Sequence, residues 1–155
     1  MARAPFQALI IPFMIENNNT KFAIFKRADR AIWQFISGGG EDDEMPIEAA
    51  KRECFEEAEI PLDTVLYKLD TINTIPAEIF GEKHTKNWDK NCFVIKEYTF
   101  AIRLEKDIIK ISDEHSEFRW VDYNEAIELL KYDSNKTALI ELRARIRKKC
   151  FIEAK

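Results

Sequence analysis

Glu53, Glu56 and Glu57 stand at i, i+3 and i+4, a spacing that places three carboxylates on one face of an α-helix. On an open helix, like charges so spaced repel by roughly 0.2–0.5 kcal/mol per pair. A divalent cation would turn that repulsion into attraction. Oxygen ligands of this kind suit Mg²⁺, with Mn²⁺ as a substitute, and such ions commonly couple carboxylates to substrate phosphates. Gly38, Gly39 and Gly40 lie just upstream. They let the backbone take unusual dihedrals and approach a ligand closely, so a carbonyl there can join a metal's oxygen shell. Taken singly, an acidic helix face is usually a solvated surface and a glycine run usually a turn. Their mutual spacing is what raises both above the ordinary.

The elements that must position these residues follow from periodicity. Pro46 at a first turn, followed by Ile47 to Ala58, predicts a helix. Ile47, Ala50, Cys54 and Ala58 fall about a quarter-turn from the glutamates, given about 3.6 residues per turn. The helix can therefore bury an apolar stripe while turning its carboxylates sideways. Phe6 to Ile15, interrupted by Pro12, predicts a strand at an edge or with a bulge. Asn17-Asn18-Asn19 then turns the chain into a hairpin partner, Lys21 to Lys26. Ile32 to Ile36 reads as a short strand stopped by Ser37 and the glycines.

Further strands are expected around Val65 to Ile75, Phe93 to Leu104 and Phe118 to Val121, with an irregular polar stretch from Pro76 to Asn91. Asp122 and Glu125 have the spacing of a capping box for a helix through Lys131. Ser134 is placed to cap a last helix with Ala138, Leu139, Leu142 and Ile146 along one side. Strands with helices both early and late predict an α/β fold, a mixed β-sheet between helices, in a single domain over residues 1–155.

Composition narrows the partners. Hydrophobic residues at 46% supply an ordinary packed core. A net charge of -4 argues against a nucleic-acid polymer as main partner, because that binding neutralises phosphates with Lys and Arg. Cys54, Cys92 and Cys150 form no CxxC pair, which points to reduced thiols and a cytoplasmic setting. No apolar run is long enough to span a membrane, and no leader-like segment precedes Glu16.

From Gly38 the chain reads Gly, five residues, Glu44, seven residues, then Arg52-Glu53-Cys54-Phe55-Glu56-Glu57-Ala58-Glu59-Ile60. This resembles the box of the Nudix hydrolases, with Glu59 in place of its late glycine. Trp33-Gln34-Phe35-Ile36 is similar to the strand that enters it. The resemblance implies an α/β/α sandwich and hydrolysis of a phosphoanhydride bond in a nucleoside-diphosphate-linked compound. It implies that Glu56 and Glu57 are metal ligands. Glu53 becomes a further ligand or the residue that orients water, and the Gly38 carbonyl joins the set. Glu44 and Arg52 are read as a structural ion pair. Glu59 lies where a helix would exit through a left-handed residue, at a cost on the order of 1 kcal/mol.

Relatives of this kind often recruit one more carboxylate from a later loop, for which Glu114 is the first candidate and Glu117 the second. His115 is a candidate for proton transfer, weighed against a partly exposed structural role. Lys83, His84, Lys86 and Trp88 are candidates for substrate contact against ordinary surface roles. Trp33, Gln34 and Phe35 are candidates to stack on or hydrogen-bond a base, with core packing competing for the aromatics.

The segments Trp33 to Asp42, Glu114 to Trp120 and Asp133 to Leu139 are similar to the bacterial dATP or dihydroneopterin triphosphate pyrophosphatases. That implies pyrophosphate release from a purine- or pterin-type triphosphate. Dinucleoside polyphosphates, ADP-ribose and oxidised guanine nucleotides stay open as substrates. So do a homodimer and a non-catalytic nucleotide-sensing module on the same fold, though the full carboxylate set favours chemistry.

Overall fold

A computed structural model describes residues Met1–Lys155. Seven strands form one mixed sheet. They are β1 (Arg3–Glu16), β2 (Asn19–Arg27), β3 (Trp33–Gln34), β4 (Ile36–Glu41), β5 (Leu66–Pro76), β6 (Val94–Arg103) and β7 (His115–Val121). Four helices accompany them: α1 (Pro46–Ala58), α2 (Gly81–Thr85), α3 (Tyr123–Leu129) and α4 (Asp133–Lys148), with a 3₁₀ turn at Ala77–Phe80. The main path runs β3-β2-β1-β6-β5, with β4 paired to β1 and β7 to β2. No helix is long and apolar enough to cross a membrane.

Strand alternation divides the core in two. Ala8 and Ile10 of β1 face Ala50, Cys54 and Ala58 of α1. Leu9 and Ile11 face the other way, toward Ala126 of α3 and Ala138, Leu139 and Leu142 of α4. Helices therefore cover both faces of the sheet, the arrangement expected of an α/β/α sandwich.

Pro12 does not mark an edge. β1 is central, parallel to β6 on one flank over Phe6 to Phe13. Its other flank is shared, β4 pairing from Arg3 to Ile10 and β2 from Phe13 to Glu16. The Phe13 carbonyl accepts from Leu104 N–H on the β6 side, so the Pro12 nitrogen faces the opposite flank, where β4 has ended and β2 has not begun. A missing N–H costs no ladder bond there. The hairpin closes through Asn17 and Asn18, both with positive φ (48° and 69°), as the tight turn between Glu16 and Asn19 requires.

The glycines do not stop a strand; they lie within one. Ser37, Gly38 and Gly39 pair with Leu9, Ala8 and Gln7, and none of the three glycines has a positive φ. Their need is for space, not unusual dihedrals. The expected Ile32–Ile36 strand is split at Phe35, whose N–H donates to the buried Asn135 Oδ1 at 2.9 Å. Asn135 comes from α4, so no local signal announces the break. The last helix begins one residue before Ser134 and has Tyr132, not Ser134, as its N-cap. Asp122 does cap α3, its Oδ1 accepting the Glu125 N–H at 2.9 Å. The stretch expected to be irregular contains the 3₁₀ turn and α2.

Candidate active site

α1 is fixed at both ends by its own sequence. Pro46 occupies the first turn, and the Glu48 carboxylate accepts the Met45 N–H at 2.7 Å. At the far end Glu59 takes the left-handed conformation, φ 53°. Its N–H bonds Phe55 O at 2.9 Å while Ile60 N–H bonds Cys54 O at 3.2 Å. The helix thus exits where a glycine is favoured, without one.

Arg52 ties this helix to β4. Its Nε and Nη2 make a forked pair with Glu44 at 2.8 and 3.0 Å, and Nη2 also donates to the Gly39 carbonyl at 2.8 Å. Nη1 reaches Glu53 Oε1 at 2.9 Å and Glu56 Oε2 at 3.1 Å. A planar guanidinium can serve so many oxygens at once because its five donors lie in one fork. These hydrogen bonds, Glu44 first, raise its pKa further above an already high ordinary value.

The three glutamates do not share one environment. Glu56 is exposed, while Glu53 and Glu57 are buried, Glu57 to 1%. Glu53 packs against Gly38 so closely that a Cβ at that position would collide with its carboxylate. Burial and then the neighbouring Glu53 carboxyl push Glu57 well above the usual carboxylate range. Burial also raises Glu53, against the opposing effect of its hydrogen bonds with Glu57 and Arg52. Glu57 Oε2 is buried and has no hydrogen-bond partner.

His115 lies beside this pair, its Nε2 3.4 Å from Glu57 Oε1. It is buried rather than partly exposed. Burial, and secondarily the positive charge of Arg27, lower its pKa, so the contact joins a neutral imidazole to the carboxyl and is not an ion pair. The loop that leads into it is held to α1 by Ser112 N–H donating to Glu57 O at 3.1 Å and Lys110 N–H donating to Ala58 O at 3.1 Å.

As placed, no three Asp, Glu, His or Cys side chains gather around one point, since Arg52 draws Glu53 and Glu56 toward itself. The residues nevertheless fit a divalent cation. Two buried carboxyls stand side by side, one with an unpartnered oxygen, at a strand kept clear by Gly38. A cation would reverse the electrostatics that now disfavour their charged forms.

A cavity of about 780 Å³ opens onto Glu57, Gly38, Glu114 and His115. Glu114 is an exposed member of its wall, whereas Glu117 does not line it and pairs with Arg119 at 2.8 Å. Of Trp33, Gln34 and Phe35, only Gln34 lines the cavity. The aromatics belong to the core: Phe35 is fully buried, and Trp33 is buried beneath the Arg119 guanidinium at 4.8 Å. Trp88 is buried too, its Nε1 donating to Arg3 O at 2.6 Å. Lys83, His84 and Lys86 are exposed and lie outside this cavity.

The sequence reading did not single out Arg3, Gln7, Glu97 and Asn135, which also line the cavity. For Glu97 a signal existed. Ile95, Glu97, Thr99 and Ala101 are all buried at alternate positions of β6, so strand period alone turns the acid inward.

Comparison with known proteins identifies the family. The NUDIX domain model matches residues 7–142. The chain is 29% identical over 136 residues to a dihydroneopterin triphosphate diphosphatase of Haemophilus influenzae, covering 86% of this chain and 84% of that protein. It is 31% identical over 123 residues to an RNA pyrophosphohydrolase of Vibrio vulnificus, covering 74% and 70%. A solved NUDIX hydrolase structure from Listeria monocytogenes superposes with a TM-score of 0.86 at 43% identity, covering 96% of this chain and 99% of that one. With the NUDIX model matching most of its length, the chain belongs to the Nudix hydrolases.

Proposed function

We propose that this protein is a single-domain, Mg²⁺-dependent pyrophosphohydrolase that releases pyrophosphate from a purine- or pterin-type nucleoside triphosphate or its analogue. The observation that carries the reading is the buried Glu53–Glu57 pair beside Gly38, with Glu57 lining the cavity and its buried Oε2 unpartnered. Two adjacent buried carboxyls are unfavourable by themselves and become useful where a cation is held. Glu53, Glu57 and the Gly38 carbonyl would hold it, with Glu56 at the exposed rim. When bound, the ion offsets phosphate charge and acidifies water.

The chain's own residues supply the rest. Arg52 fixes Glu53 against β4, and His115 packs against Glu57 Oε1. Glu114 lines the cavity on the loop side, where a carboxylate can take a proton from water. The similarity to a dihydroneopterin triphosphate diphosphatase supports the triphosphate reading over the dinucleotide alternatives. Three free thiols accord with a cytoplasmic location.

The test is a panel of nucleoside and pterin triphosphates, dinucleoside polyphosphates and ADP-ribose with Mg²⁺, with products identified by mass. Pyrophosphate as the sole inorganic product is expected; orthophosphate would count against the reading. Glu57→Gln should lower turnover by about a hundredfold or more while the fold is retained. Near-normal turnover in that variant would remove Glu57 as a principal metal ligand.

A further inference from the structure

The floor of the cavity carries a row of polar side chains that the hydrolytic chemistry does not use. Gln7 of β1, Glu97 of β6 and Asn73 of β5 are direct neighbours across three adjacent strands. Gln7 shares its sheet face with Leu9, on the side away from α1. Glu97 is 4% exposed, and its partners are two neutral amides: Gln7 Nε2 at 2.7 Å and Asn73 Nδ2 at 3.2 Å. Burial holds its carboxyl above the usual range despite these bonds. A carboxylate in such a place costs stability that an apolar residue would not. Each of its oxygens still has accepting capacity beyond the one amide it receives.

Arg3 completes the row. Its Nη2 donates to Gln7 Oε1 at 3.0 Å, which orients the Gln7 amide so that Nε2 faces Glu97. Its guanidinium lies over the Phe80 ring at 4.6 Å, and its Nε is buried with no partner. The cavity wall therefore holds a guanidinium with one unpartnered, buried donor, Arg3 Nε, and a carboxyl, Glu97, with unused acceptor capacity. Ile75, Ile79 and Phe80 line the same space and supply apolar surface for a flat ring.

We infer that Arg3 and Glu97 form a ring-recognition site selecting a fused heterocycle with a 2-amino-4-oxopyrimidine edge, as guanine and pterin possess. That edge presents an oxygen acceptor, a ring N–H and an amino N–H in sequence. The oxygen matches the Arg3 guanidinium, and the two N–H groups match the carboxylate of Glu97. Adenine places a ring-nitrogen acceptor beside its amino group, which leaves the carboxylate facing a lone pair. The inference rests on the triphosphate reading above and narrows it from purines and pterins in general to this edge.

The test separates the two claims, because it begins without metal or hydrolysis. Binding of guanosine, neopterin, inosine and adenosine to the full chain is measured by calorimetry or saturation-transfer NMR. Guanosine and neopterin should bind at least about tenfold more tightly than inosine, which lacks the amino donor, and than adenosine. Equal affinities would overturn the inference, even with hydrolysis intact. Failure to release pyrophosphate from any triphosphate would instead overturn the enzymatic reading and leave the binding result standing. In Glu97→Gln the GTP-to-ATP ratio of kcat/KM should fall at least about tenfold, carried by KM. An unchanged ratio in a folded variant would likewise overturn it. Should that variant not fold, the guanosine-to-inosine comparison on the wild-type protein decides alone.

Discussion

Arg52 Nη2 donates to the Gly39 carbonyl at 2.8 Å while the same guanidinium holds Glu44 in a fork. One side chain thereby locks the carboxylate-bearing helix to the glycine strand. Arg52→Lys keeps the charge but lacks the planar fork. We expect it to need roughly 10- to 100-fold more Mg²⁺ for half-maximal activity, read from a metal titration of turnover. An unaltered titration curve would make the clasp dispensable for the site.

Gly38→Ala tests the spacing between strand and helix. The new Cβ would meet the Glu53 carboxylate, which is buried and bonded to Arg52 at 2.9 Å and so resists displacement. A loss of about 1–3 kcal/mol in stability is expected, together with at least a tenfold drop in activity. Urea unfolding and initial rates check both. A stable, active variant would show that Glu53 can sit elsewhere.

The loop acids should separate cleanly. Glu114→Gln is expected to lower kcat about tenfold or more, because Glu114 lines the cavity. Glu117→Gln should leave the rate within about twofold, since its carboxylate is taken up by Arg119 away from the cavity. The reverse order of effects would exchange the two assignments.

Much of the site was legible because it is local. The i, i+3, i+4 glutamates and the Pro46 start mark α1 in the sequence, and the resemblance to the Nudix box implies the Glu44–Arg52 pair. What escaped is nonlocal. That Gly38 and Gly39 are strand residues depends on pairing with β1, and Pro12 looks like an edge signal until β4 and β2 are seen to share one flank. Trp33 and Phe35 look available for a base, but α4 packs over them and Asn135 takes the Phe35 N–H. His115 reads as a partly exposed residue until the backbone bonds to Glu57 and Ala58 draw the preceding loop onto α1 and bury it.

Acid stability offers a fourth check, away from the site. Glu141 of α4 accepts from the backbone N–H groups of Asp70 and Thr71 at 2.6 and 2.7 Å, from the Thr71 hydroxyl at 2.6 Å and from Arg145 at 2.8 Å. Burial opposes its ionisation, but these bonds outweigh it and leave its pKa below the usual range. A folded-state pKa below the unfolded value gives stability that is present above about pH 4.3 and lost as pH falls through the folded pKa. Glu141→Gln should therefore cost about 1–3 kcal/mol at pH 7 and flatten the acid limb of a stability profile. An acid limb as steep as wild type would assign that loss to other groups.

The parallel register of β1 on β6 joins Phe6 to Lys96 and Phe13 to Arg103, segments about ninety residues apart in sequence. During synthesis the first strand must wait, one side unsatisfied, until that distant partner leaves the ribosome. Closure over so long a loop slows folding and prolongs exposure of the apolar Leu9–Phe13 stretch. The nascent protein is consequently most prone to self-association before β6 has emerged, and chaperone demand should fall once it has.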